Sequence, residues 1–273
     1  MTAQKFRPKR TNVLARFLPR AQRPPNGQHA HSRAEFWRTI AGLALFAIAF
    51  GYVEAAVVAY LRSIYTPLRA QFHPGSSNEL FPLLSLEQLR ILGPEHITRL
   101  RIELGRELAT LLMLAGASLA ATRKPRAWAA AFLLCFGIWD LAFYAFLKLL
   151  LRWPASLLTW DILFLLPVPW VGPVLAPVLV SLAMISAGLV VLWRECSDSP
   201  VRIGPVQRVL TVVGGALVFA AFIADFRNTA AGGNPNAFHW WLFAVGLAVG
   251  VTAFATAVRA TIRPASSGVS DQA

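Results

Sequence analysis

Six times along the chain an apolar run of helix-spanning length is bounded by polar, proline- or arginine-bearing segments: 39–61, 103–122, 127–149, 170–193, 209–226 and 239–260. A hydrocarbon core about 30 Å thick is crossed by about 20 residues of α-helix, so each run predicts one membrane span. Backbone amides in lipid must be satisfied within the helix itself or around a closed barrel, and runs of this length select the helix. The pattern predicts an all-α polytopic transmembrane helix bundle of about six spans. The stretch 156–169 interrupts it. Pro154, Pro167, Pro169, Pro173 and Pro177 break the apolar sequence there, which predicts a half-spanning or interfacial piece and leaves five or seven spans as alternative counts.

The polar segments have their own signals. Between the first two spans, a Pro74-Gly75-Ser76-Ser77 turn is followed by Leu83, Leu84, Leu86, Leu89, Ile91 and Leu92. Ser85 with Gln88 three residues on forms a capping box, so the outer loop 63–93 is expected to carry a short amphipathic helix lying on the surface. Gly93-Pro94 opens the next helix, proline suiting its first turn, and a helix over 94–122 extends on the order of 40 Å. Residues 1–38 read as a basic, mostly disordered N-terminus, 39–260 as one transmembrane domain and 261–273 as a flexible tail. The first apolar run is too long for the core of a cleavable signal and reads as an uncleaved anchor.

Composition agrees with the pattern: of 273 residues, 56% are hydrophobic and 14% charged, with mean hydropathy +0.53, far from an ordinary soluble domain. The net charge of +13 changes the picture only through its distribution. Basic residues crowd the N-terminal segment, the 123–126 loop, Arg194, Arg202, Arg208, Arg259 and Arg263, all on one side if six spans alternate. That asymmetry places both termini in the cytoplasm and explains the charge without a nucleic-acid partner. Trp37, Trp128 and Trp193 mark the inner interface, Trp153, Trp160, Trp170, Trp240 and Trp241 the outer one, and Trp139 lies at depth. Cys135 falls inside a span and Cys196 in a cytoplasmic loop, so no disulfide joins them.

Acidic residues follow the opposite asymmetry, and three of them fall inside spans. Glu54, Glu107 and Asp140 lie at similar depth on three different helices, where an ionised side chain costs roughly 2.5–3.5 kcal/mol unless paired, hydrated or used. On the helix from Pro94, His96, Glu103 and Glu107 fall within about 20° of one stripe, and Arg106 can pair with Glu103 one turn away. In the third span Asp140, Tyr144 and Lys148 recur every fourth residue, an acid, a phenol and an ammonium running toward the outer surface. Structural readings stand beside these: interfacial salt bridges for the first stripe, and for the second a Lys148 that snorkels while Asp140 accepts a hydrogen bond from a neighbouring helix. Asp161 reads as an interfacial cap, and Asp225 with Arg227 as an exposed ion pair. Glu107, Asp140, Glu54, Arg106 and Lys148 are the candidate catalytic set; Glu103, Tyr144, Asp161 and His96 are candidate binding residues.

No metal is assigned, since neither HExxH nor paired histidines occur, and no cofactor is implied. P-loop, GxGxxG and GxSxG motifs are also lacking. Gly246 and Gly250 make a GxxxG pair that permits close helix packing.

The segments Gly51 to Glu54, Glu103 to Glu107, Phe136 to Tyr144 and Trp153 to Trp170 resemble a family of bacterial multi-pass membrane proteins with no assigned activity. The resemblance implies a polytopic protein of the inner membrane and supplies no chemistry. Three function classes follow from the residues: a membrane-embedded enzyme with an outward-facing site for a lipid or lipid-linked substrate, a structural or assembly subunit with other membrane subunits as partners, and a proton-coupled transporter. In each the bilayer is the immediate partner.

Overall fold

The computed structural model describes residues 25–74 and 80–262, with side chains from Arg33 onward. Eight helices and one hairpin follow in order: α1 (Pro25–Phe72), α2 (Leu86–Leu92), α3 (Pro94–Ala121), α4 (Pro125–Leu151), β1 (Trp160–Phe164), β2 (Trp170–Pro173), α5 (Leu175–Cys196), α6 (Pro205–Ile223), α7 (Phe226–Ala230) and α8 (Trp240–Ile262). Six of them, α1, α3, α4, α5, α6 and α8, are long and apolar enough to cross a membrane. The chain is an all-α membrane-protein bundle. Proline occupies the first turn of α3, α4 and α6, where its missing N–H has no intrahelical acceptor to lose.

α1 departs from expectation at both ends. It begins at Pro25, inside the segment expected to be disordered, and runs on to Phe72. Residues 1–24, the loop tip 75–79 and the tail 263–273 lie outside the described residues. Pro67 sits within the last turns of α1 without ending it. The outer loop is therefore shorter than 63–93. It holds α2, whose capping box is formed: Ser85 Oγ accepts from Gln88 N, and Gln88 Oε1 accepts from Ser85 N.

Two packed groups make up the bundle. α4 lies between α1 and α5, and α6 pairs with α8. Small residues set both approaches. A Cβ on Gly137 of α4 would stand 2.7 Å from Ser181 O of α5, and one on Gly246 of α8 would stand 2.8 Å from Gly214 O of α6. Both glycines of the GxxxG pair lie against Gly214 of α6, where a Cβ would stand 2.8 Å from Gly250 N, but the Cβ direction of Gly250 itself is open.

The proline-broken stretch is neither a half-helix nor an interfacial helix. It folds as an antiparallel hairpin pairing Trp160 with Pro173, Asp161 with Gly172 and Ile162 with Val171, and the register shifts before Phe164 meets Trp170. Prolines at 167, 169 and 173 forbid helix there, and hairpin pairing is the remaining way to satisfy apolar-environment backbone. Thr159 and Leu157 carbonyls accept from Val174 and Leu175, carrying the pairing into α5.

Toward the N-terminal half of α1 the packing is apolar and closed. Leu43, Ala47, Phe50, Leu114, Ala131, Leu134 and Cys135 are buried together, with Trp139 at the upper edge. Polar groups collect at the other end, where α1 ends and α3 begins.

Candidate functional site

A cavity of about 300 Å³ lies among α1, α3, α4 and the hairpin, with Leu80, Leu83, Leu84 and Leu89 of the α2 segment over it. Along α1 it reaches from Glu54 to Arg69, about 22 Å of helix at 1.5 Å per residue. Five carboxyl groups and four guanidinium groups line it: Glu54, Glu103, Glu107, Asp140 and Asp161 with Arg62, Arg69, Arg99 and Arg106. Nine ionisable groups in one small apolar-walled space need partners, and the partners divide them by role.

Arg106 is the hub of the deep end. Its Nη1 pairs with Glu54 Oε2 and its Nη2 with Glu103 Oε1, while Nε donates to both Glu103 oxygens at 3.0 Å. Thr110, one turn further along α3, donates to Glu54 Oε1 at 2.8 Å. Glu54, Glu103 and Arg106 thus form one ion-paired group across two helices.

Glu107 is spent differently. Its two carboxylate oxygens accept the Leu165 N–H at 3.0 and 2.8 Å, and the Leu166 N–H also donates to it. These amides lie just beyond β1, where the hairpin ladder has run out. A buried carboxylate on α3 supplies the acceptor that the sheet does not, and this ties the hairpin to the bundle.

Asp140 and Asp161 remain. Asp140 accepts from Ser181 Oγ of α5 at 2.8 Å, a single bond for a carboxyl with two oxygens. Asp161 is 5% exposed and accepts from Tyr144 Oη at 2.9 Å, from the Ile162 N–H, and feels the Arg62 charge. Burial nevertheless pushes Asp161 up to about 6, against the Tyr144 hydrogen bond and Arg62, which pull it down. Asp140 and Asp161 are also close enough to feel one another's charge. The expected interfacial cap is a buried acid in a strand, brought inward by the hairpin.

Two further expectations change. Lys148 is on the exposed side of α4 and donates to Pro154 O at 2.7 Å, so the acid–phenol–ammonium stripe stops at Tyr144 as far as the cavity is concerned. The αL residue Arg152 closes α4, and the loop after it brings the Pro154 carbonyl to Lys148. His96 shares the buried face of α3 with Glu107, as its spacing predicts, but packs edge-on against Tyr65 at 5.9 Å and lies outside the cavity wall. Away from the cavity, Asp225 makes no pair with Arg227. Burial pushes its pKa up, but hydrogen bonds from Asn236 N, Asn236 Nδ2 and Asn228 Nδ2 outweigh that and hold it below the usual carboxylate range.

Arg62, Tyr65 and Arg69 also line the cavity, with little sign of it in the sequence. Their i, i+3, i+7 spacing marks one face of α1, but that face is visible only if the helix continues beyond residue 61. Ser181 and Thr110 were equally silent, being single hydroxyls in apolar runs. Among the described residues, no group of three His, Cys, Asp or Glu side chains stands ready to hold a metal ion.

No protein-family model matches the chain, and no curated protein and no solved structure matches it. Its function has to be argued from the cavity.

Proposed function

We propose that this chain is a membrane-embedded enzyme acting on a lipid or lipid-linked substrate. Asp161 serves as general base with Asp140 beside it, in a cavity that faces outward from a bacterial inner membrane. The observation that carries the reading is the buried Asp140–Tyr144–Asp161 group on the cavity wall. A catalytic carboxyl is most effective when it titrates near working pH, and an Asp161 pushed up to about 6 meets that condition. Ionised above that pH, it can take a proton from a substrate hydroxyl or a water. Tyr144 orients it, and Arg62 stabilises the charged form.

The other acids take supporting roles. Glu107 positions the hairpin that carries Asp161, and Arg106 pairs with Glu54 and Glu103 behind the working face. The apolar walls and the α2 segment suit the polar end of an amphiphile whose chains stay in the bilayer. Outward orientation is supported by the basic residues at the opposite end of the bundle.

The transporter reading requires polar groups to continue toward the N-terminal half of α1, where the packing is apolar and closed. A purely structural reading explains Glu54, Glu103 and Arg106, but gives no reason for Asp140 and Asp161 to share a cavity wall. The test is the membrane lipid profile of cells carrying wild type or Asp161→Asn at equal protein level. A lipid species that accumulates or disappears in the variant is the expected result. Identical profiles, with the variant folded, would overturn the enzymatic reading.

A further inference from the structure

Among the described acids on the cavity wall, Asp140 alone is short of donors. Glu54 receives Thr110 at one oxygen and Arg106 at the other, and Glu103 is held by Arg106 at both. Both oxygens of Glu107 accept the Leu165 N–H. Asp161 takes the Tyr144 hydroxyl and the Ile162 N–H, with the Arg62 charge nearby. Asp140 has Ser181 Oγ on Oδ2 and, among the described residues, no paired cation and no donor for Oδ1. The side chain is 8% exposed and lines the cavity, and Oδ1 is not sealed inside the protein, so the exposure Asp140 keeps leaves that oxygen open to the cavity. A buried carboxyl oxygen without a donor is costly unless something in the cavity supplies one.

We infer that Asp140 Oδ1 binds a hydroxyl of an uncharged, polyhydroxylated headgroup, a glycerol or a sugar, and so selects the lipid that the cavity admits. Calling that lipid the substrate rests on the proposed function, in which Asp161 takes the proton; the hydroxyl subsite itself is a matter of binding. The donors already in place are hydroxyls, Ser181 Oγ at 2.8 Å on Asp140 and Tyr144 Oη at 2.9 Å on Asp161. An ammonium would enter beside the guanidinium groups of Arg62 and Arg106 on the same wall, whereas an uncharged hydroxyl meets no such repulsion. Tyr144, which holds Asp161, lies one helical turn, about 6 Å, further along α4 than Asp140. A headgroup with several hydroxyls can therefore offer one to each acid. Trp139 and Phe143 flank Asp140 and give the headgroup carbons an apolar wall. A cavity of about 300 Å³ sits at the small end for ligand pockets, so it takes a headgroup and leaves acyl chains outside.

The experiment uses the full chain in an amine-oxide detergent, which carries no hydroxyl, with bound molecules counted by native mass spectrometry. The probes are 1-monohexanoylglycerol, its dimethyl ether and hexylamine. Monohexanoylglycerol is expected to bind at least about tenfold more tightly than the ether, because a site built to bond a hydroxyl rejects the analogue that lacks it. In Asp140→Asn the remaining oxygen stays with Ser181 and an amide donor replaces Oδ1, so affinity for monohexanoylglycerol is expected to fall about tenfold. Arg259→Gln, an exposed change in the last turn of α8, is expected to leave it unaltered. Equal affinity for the ether means that water alone meets Oδ1 and overturns the inference. Hexylamine that binds more tightly than monohexanoylglycerol makes this a cation site and overturns it too, as does unchanged affinity in a folded Asp140→Asn. Should that variant fail to fold, the wild-type comparison of hydroxyl and ether decides alone. Monohexanoylglycerol bound with no Asp161-dependent lipid change sinks the enzymatic reading and keeps the subsite; the reverse pattern sinks only the subsite.

Discussion

Asp161 on the hairpin and Glu107 against it are both buried acids, and their partners separate a titrating group from a structural one. Asp161 titrates near 6 because burial outweighs one phenolic hydrogen bond and a nearby cation. Its folded-state pKa lies above the unfolded one, so its contribution to stability is whole below about pH 4. That contribution declines as pH rises through about 6, by about 3 kcal/mol in all. Asp161→Asn keeps an acceptor for Tyr144 and removes the titration. The difference in thermal stability between wild type and variant should therefore shift in the variant's favour between pH 4 and 7, while any turnover that rises with an apparent pKa near 6 in wild type is lost. A pH-independent difference would show that Asp161 does not titrate there. Glu107 behaves otherwise, because its oxygens satisfy backbone amides. Glu107→Ala strands the Leu165 N–H and should cost about 1–3 kcal/mol, and Glu107→Gln, which keeps one acceptor oxygen, should cost less. Equal losses, measured by thermal unfolding in detergent, would mean the amides are satisfied some other way. Arg106→Gln leaves Glu54 and Glu103 without their cation, and removing one partner of a buried pair costs about 3–5 kcal/mol. Adding Glu54→Gln should recover part of that loss.

Elements divide between those that hydropathy reveals and those that only tertiary pairing creates. The six spans, the Ser85–Gln88 cap and the Gly93-Pro94 start are legible because each depends on residues within one or two turns of each other. α1 beyond residue 61 is not: Arg62 looks like the end of a span when its partner, the Trp153 ring on the loop after α4, is unknown. The hairpin is half legible. Pro154, Pro167, Pro169 and Pro173 disfavour a helix, but choosing strands requires the Asp161–Gly172 and Ile162–Val171 pairings and an acceptor from α3 for the amides left over. The GxxxG motif makes the point for packing, since its two glycines are equivalent in sequence and unequal in the fold. Gly246→Ala pushes a methyl against Gly214 O and Leu217 Cβ, both 2.8 Å from its Cβ, and should destabilise the α6–α8 pair by about 1–3 kcal/mol. Gly250→Ala meets nothing within 4 Å and should be neutral or slightly stabilising, because alanine favours helix over glycine. Thermal unfolding of the two variants side by side checks this, and equal destabilisation would mean that the Cβ direction of Gly250 is blocked as well.

For the whole molecule, the location of the charges matters more than their number. Glu54, Glu107 and Asp140 do converge on one cavity, as their shared depth on three helices suggests, but the sequence is silent on which would pair with Arg106, which would hold the hairpin amides and which would keep a single hydroxyl partner. Those assignments depend on contacts between residues far apart in the chain, such as Thr110 with Glu54 and Ser181 with Asp140. The result is a polarised bundle, apolar and closed toward the N-terminal half of α1, ionic and hollow toward its C-terminal end. An ionic cavity at one end can serve only the compartment or leaflet that end faces, so membrane orientation bears directly on function. The basic N-terminal segment and the arginines following α5 predict that the cavity end is outside. In a Cys196→Ser background, Leu157→Cys places a thiol on an exposed residue at the cavity end, whereas native Cys196 lies at the other end, after α5. A membrane-impermeant maleimide applied to intact spheroplasts should label the Leu157→Cys protein and leave wild type unlabelled until the membrane is broken. The opposite pattern would turn the cavity toward the cytoplasm, where a soluble hydroxylated metabolite rather than an outer-leaflet lipid would be the molecule that Asp140 meets.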